Sequence, residues 1–336
     1  MKQKLLIGIA LAVIVTIGLW LRHPAAPVAV PVAKLIPKPV AVASVPKLPK
    51  LVPFNTPKMV TVGSQPASSQ SLASAGRNWS AIQTIADRNA SYRTRLSACR
   101  SLSGPLTDAD WAALKPFLLK PDGLDHGQLG QVIKNKLMDV LCSLNPPPAG
   151  LGEVLTAMYQ DRGQDGVIRD YAVQHMTAYY EQLAVQDDSA DARQDVENVL
   201  WQAVNETYSS IGGTALLALK RLAQEYPGLD QGKIAATALQ MAQDNNVNEL
   251  THITAFQICA QLGTANALPI VAAAAKNGET IPVRLSAIGA LGLLGGPEQL
   301  PYLNSVLAGT DDRLKLAAQH ALQQITLRQA SPAAQN

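Results

Sequence analysis

The chain has 336 residues, of which 47% are apolar and only 4% aromatic. That is enough to bury a large core, and the Ala- and Leu-rich, aromatic-poor character suits closely packed helices better than a sheet. The formal net charge is +3, but residues 1–76 hold eight of the 28 basic residues and none of the 25 acidic ones, so the remainder carries 20 against 25, a net of −5. A folded part with that balance excludes a basic nucleic-acid reader, and no nucleic acid is expected as a partner.

Lys2 and Lys4 precede an uncharged run, LLIGIALAVIVTIGLWL, from Leu5 to Leu21. As a helix this run is about 26 Å long, at the short end of what spans a bilayer and equally the length of a signal-peptide core. Prolines in the following RHPAAPVAVPVA occupy most of the places a signal peptidase needs. Residues 1–22 are therefore expected to remain as an uncleaved transmembrane anchor, with secretion after cleavage as the alternative. The two lysines and the amino terminus argue for an N-terminus left in the cytoplasm; Arg22, Lys34 and Lys38 weaken the argument by placing positive charge on the other side.

Residues 23–58 mix Pro, Val, Ala and Lys without acidic residues. Prolines every few positions forbid a helix and favour an extended spacer reaching ~100 Å. Residues 59–76 turn to Ser, Gln, Gly and Ala and read as a hinge, with the folded domain expected over 77–330 and a disordered tail over 331–336.

The stretch PVRLSAIGALGLLGG, Pro282 to Gly296, raises the question of a second membrane span. Arg284 interrupts it, and the uncharged core before Pro297 and Glu298 is too short and glycine-rich, so it is expected as a buried soluble helix. It belongs to a repeat. LTHITAFQICAQLG (from Leu250) lies over it at an offset of 32, bringing Ala255 onto Ala287 and Leu262-Gly263 onto Leu294-Gly295, and LKLAAQHAL (from Leu314) follows at 31, with Ala318 on Ala287. Each unit holds two apolar-periodic segments divided by Gly, Pro, Asn or Asp, the pattern of paired antiparallel helices. Small residues at the aligned alanines, with Gly289 and Gly292, are expected to let helices approach closely. Gly295 and Gly296 are expected to close the first helix in a left-handed cap, and Pro269 and Pro301 to fall in the first turn of the second.

VRLSAIGALGLLG followed by EQLPYLNSVL, with looser copies RLSACRSL, IRDYAVQHM, THITAFQICAQLG and LKLAAQHALQQI, resembles the HEAT-repeat family and, less closely, armadillo-type repeats. The resemblance is strong over 248–328, moderate around 92–183 and weak over 184–247. It implies an all-α fold, an α-solenoid of about six antiparallel helix pairs, here preceded by the transmembrane helix and the Pro-rich spacer. One enzymatic branch of HEAT-like proteins binds a di-iron centre through His-Glu pairs; His175, His252 and His320 are followed here by Met176, Ile253 and Ala321, so that pattern is absent.

No catalytic constellation stands out. There is no HExxH, GxSxG, GxGxxG or GxxxxGK, and Cys99, Cys142 and Cys259 are widely spaced without a CxxC. They read as buried thiols, with pairing of Cys99 and Cys142 left open. Catalytic, metal and cofactor residues are accordingly expected to be none. The binding candidates are an acidic cluster, Asp187, Asp188, Asp191 and Asp195, just before Trp201, and the adjacent Tyr179 and Tyr180, of which one is expected to face outward since both cannot point inward from one helix. The expectation is a single-pass protein of a bacterial inner membrane whose repeat domain, in the periplasm, binds a protein or peptide partner of the envelope. The alternatives are a HEAT-like enzyme or accessory of lyase or metal-dependent hydroxylase type, and a cytoplasm-facing assembly platform.

Overall fold

A computed structural model describes residues 70–120, 128–186 and 189–330; the expected anchor, the spacer, the tail and most of the hinge lie outside them. Fourteen α-helices and two 3-10 turns make up the described secondary structure. In chain order the helices are α1 (Gln70–Ala86), α2 (Tyr92–Ser101), α3 (Asp108–Leu119), α4 (Gln128–Ser143), α5 (Leu151–Gln160), α6 (Gly166–Ala184) and α7 (Ala190–Ala203), followed by α8 (Ser210–Glu225), α9 (Gln231–Gln243), α10 (Glu249–Gln261), α11 (Leu268–Asn277), α12 (Ile281–Leu294), α13 (Leu300–Leu307) and α14 (Asp312–Ala330). The first helix begins at Gln70, so the last residues of the stretch read as a hinge are helical. Among the described residues no helix is long and apolar enough to cross a membrane.

Local sequence fixes where helices start. Ser91, Asp165, Ser209, Asp230, Asn248 and Thr280 each accept a backbone N–H of the first turn, and Thr107 with Asp110 forms a reciprocal capping box at α3. Pro269 and Pro301 occupy the first turns of α11 and α13, where a missing amide hydrogen costs little.

The helices form two layers. Even-numbered helices lie side by side from α2 to α14, each against the next, and the odd-numbered ones lie over them. One hydrophobic core runs from Ala81 to Ile325. PVRLSAIGALGLLGG is helix α12 in this core, with Ala287, Ile288, Ala290, Leu291 and Gly292 buried. The aligned Ala255, Ala287 and Ala318 are all fully buried, consistent with α10, α12 and α14 packing directly on one another. A Cβ at Gly292 would stand 2.9 Å from Ala321 Cα, so glycine is what lets α14 approach α12.

Four expectations are corrected. In chain order the described helices make seven pairs, where about six were expected. Their phase also differs: the VRLSA-type helix is the second of its pair, since α11 packs along α12, α9 along α10 and α13 along α14. Gly289 meets nothing within 4 Å and serves no close approach. Gly295 is extended, at φ −73°, and not left-handed, whereas its aligned partner Gly263 is left-handed at φ +64°. At Gly295 the constraint is space, because a Cβ would lie 2.6 Å from the carbonyl oxygen of Leu291.

Within the pairs one contact recurs. The fourth residue of an even helix reaches back to the carbonyl end of the helix before it: Arg95 Nε donates to Ile85 O at 2.9 Å, Arg169 Nε to Tyr159 O at 2.6 Å, His252 Nε2 to Ala242 O at 3.0 Å and Arg284 Nε to Ala275 O at 3.4 Å. Lys134 serves the same end of α3 from further along α4, donating to Leu118 O and Lys120 O. Arg169 continues into Glu206 of the next pair, with Nη2 2.7 Å from Oε1, while Arg162 binds the same carboxylate from a more exposed position. Burial pushes the Glu206 carboxyl up, but hydrogen bonds from Arg169 and Tyr159 and the two arginine charges outweigh it and hold the group below its usual value. A carboxylate with a depressed folded pKa stabilises above its unfolded pKa, and that stabilisation fades as pH falls through the folded one. Arg169→Ala is thus expected to cost about 3 kcal/mol at neutral pH in urea denaturation, with the difference from the parent shrinking in acid, while Arg162→Ala changes little. A cost that persists unchanged below the carboxylate range would contradict this role for Glu206.

Candidate binding site

Helix α7 carries most of the residues the sequence singled out. Val196, Leu200 and Ala203 face the core, which turns Asp191 and Asp195 to solvent on the opposite side. Trp201, next to Leu200, is half-buried and covered by the ammonium of Lys233 from α9, 3.8 Å from the ring centroid. Asp187 and Asp188 lie outside the described residues. The acidic stretch before Trp201 is thus for the most part helical and not a loop.

Tyr179 and Tyr180 are both buried, with 8% and 3% of their surface exposed, where one was expected to face outward. Helix α6 is packed against α4, α5, α7 and α8, so two directions a helical step apart both point into protein. Tyr179 lies against Gly152, where a Cβ would stand 2.6 Å from its ring. Tyr180 donates to Glu197 Oε1 at 2.9 Å and packs edge-on against Tyr226 at 5.0 Å; burial, then the bond to Glu197, pushes its phenol up to about 12. The structure keeps Asp191 and Asp195 accessible but brings neither tyrosine to them as a free aromatic face. Tyr208, 80% exposed in the turn before α8, is the accessible aromatic of this region.

The three cysteines are free and buried. Burial pushes Cys142 up to about 12 and Cys99 and Cys259 up to about 11, so all three are protonated thiols at neutral pH. His175 is half-buried on α6 with Nε2 2.7 Å from Asn135 Oδ1, and desolvation lowers its pKa to about 4. His320 is exposed on α14. Among the described residues no group of three His, Cys, Asp or Glu could hold a metal ion.

A larger feature lies where the sequence pointed to nothing. Between the pairs α9–α10 and α11–α12 is an open cleft of about 930 Å³. Its floor is apolar: Phe256 and Ala242 are buried there, Val247 is nearly so, and Ile270, Ala274 and Val283 form the walls. The His252 ring packs tilted against Phe256, with centroids 4.4 Å apart, and is held by its bond to Ala242 O. The rim is polar and comes from two successive turns, with Gln243, Asn245 and Glu249 on one bank and Asn277, Glu279 and Thr280 on the other. The opening follows from α11, whose sequence LPIVAAAAKN presents Ala273 and Ala274 where longer side chains would close the gap between repeats. That alanine run was the signal available in the sequence. A smaller pocket of about 340 Å³ beside Lys220, Gln231 and Gln261 holds a lysine whose pKa burial lowers.

Residues 235–323, from within α9 to within α14, match the family model of HEAT repeats, and the chain carries HEAT repeats over that span. No curated protein matches the chain. Among solved structures, human deoxyhypusine hydroxylase in complex with glycerol is similar at 16% sequence identity, covering 77% of this chain and 99% of its own length with a TM-score of 0.30.

The two kinds of residue on α7 should separate on mutation. Trp201→Ala is expected to lower stability by about 2 kcal/mol, because the ring packs against the core. Asp191→Asn combined with Asp195→Asn is expected to stay within about 0.5 kcal/mol of the parent in chemical denaturation. A neutral Trp201→Ala would mean that the ring is not held by packing.

Proposed function

We propose that the chain is a HEAT-repeat binding scaffold, tethered to a membrane by residues 5–21 with its helical part exported, and that it presents the cleft between α9–α10 and α11–α12 to a protein or peptide partner of the cell envelope. The cleft is the observation that carries the reading. It combines an apolar floor with a polar rim, which is how recognition sites join contact area to orientation. It is also built on helices tied into one core, so it is preformed and loses little order on binding. Stacked helical repeats offer extended surfaces of this kind, and the identity of the partner is a property of the site and not of the fold. The uncharged run Leu5–Leu21 and the proline-rich stretch after it support the tether.

Two measurements test this. With alkaline phosphatase fused after Asn336, activity is expected in a bacterial host, since that enzyme folds only when exported; an inactive fusion beside a bright cytoplasmic reporter would place the scaffold on the other side. A photo-crosslinking residue at Ala273, Glu279, Asp195 or Tyr208 of the full chain in its own cells is expected to yield a discrete adduct at one or more positions. No adduct at any of them would overturn the scaffold reading.

A further inference from the structure

The cleft's chemistry is one-sided. Its charged rim residues, Glu249 at the start of α10 and Glu279 just before α12, are both acidic, both exposed and stand on opposite banks. Neither forms an ion pair with another described residue. The cations nearest in sequence are committed elsewhere: Lys276 lies over the Tyr302 ring at 5.5 Å, and Arg284 reaches Ala275 O. A recess whose rim carries charge of one sign concentrates that field and selects the opposite charge. Beside the carboxylates stand the side-chain amides of Gln243, Asn245 and Asn277. Each amide carries a donor and an acceptor, the complement of an extended backbone, whereas a helical ligand would have satisfied its own backbone groups. The floor of Phe256 and Val247, between the walls Ile270 and Val283, takes an apolar side chain.

From these three features together we infer that the cleft binds an extended peptide segment in which an apolar side chain is flanked by lysine or arginine. The segment's apolar residue enters over Phe256 and Ala273, its backbone runs between the amides, and its cations meet Glu249 and Glu279. This rests on the binding-scaffold reading and specifies the ligand class of that same site.

The test uses the full-length chain in detergent and a dye-labelled nonapeptide of three Lys-Leu-Val units, followed by fluorescence anisotropy. Two control peptides carry Glu in place of Lys, or Ser in place of Leu and Val. The lysine peptide is expected to bind, and each control to bind at least about tenfold more weakly. Glu249→Gln with Glu279→Gln should weaken the lysine peptide by about tenfold and flatten its salt dependence. Ala273→Trp, at an exposed position lining the opening, should remove binding while leaving the thermal transition in place. Equal binding of the lysine and glutamate peptides, no binding of the lysine peptide, or undiminished binding to the Ala273→Trp chain would each overturn the inference. Crosslinked adducts in cells would still stand in any of those cases, so the scaffold reading fails only on its own measurement.

Discussion

A helix ends with carbonyl groups that have no amide to accept from, and in a stack of repeats those ends are pressed between neighbours where water reaches them poorly. Here a basic side chain from the following helix meets them, and in four pairs it comes from nearly the same place, nine or ten residues beyond the carbonyl it binds. Positive or polarised N–H groups at this end also oppose the negative pole of the helix dipole. The bond therefore does two things: it satisfies a buried acceptor and it fixes how far the second helix of a pair can slide along the first. The layer of even helices rests on that spacing. Arg169 extends the device across the pair boundary by holding Glu206, and Arg328 closes the other end by donating to Gly292 O and, at 2.7 Å, to Gly295 O.

Much of this fold was legible in the sequence, and what was not has a physical reason. The offset of about 32 residues located similar helices correctly, and the aligned alanines turned out to be the fully buried contact points. Similarity between helices does not say which neighbour each one packs against, so the phase of the pairs was misjudged. Gly263 and Gly295 align but answer different needs, one a left-handed backbone and the other a lack of room beside Leu291. Tyr179 and Tyr180 were divided into an inward and an outward residue by an argument that assumes a helix covered on one side. Helix α6 is covered on several.

The candidate site was less legible. Searching a sequence for a binding surface means looking for large or charged side chains out of pattern, which led to Trp201 and the aspartates of α7. The cleft is made instead by what is missing, the bulk that Ala273 and Ala274 do not supply, and its rim comes from two turns some thirty residues apart in the chain. Only the stacking of one pair on the next brings Glu249 and Glu279 to the two banks of one opening.

The bonds that close four of the pairs span nine or ten residues in sequence, while the alanine contacts join one pair to the next about thirty residues on. Nothing in this part of the design requires distant segments to find each other, and chains dominated by near-neighbour contacts fold fast and can grow from one end. During synthesis each hairpin can close and dock on its predecessor before the following one has been made. The opening over Phe256 then comes into existence only when α11 and α12 settle on α10, so the capacity to hold a ligand there is a report that two successive pairs have docked.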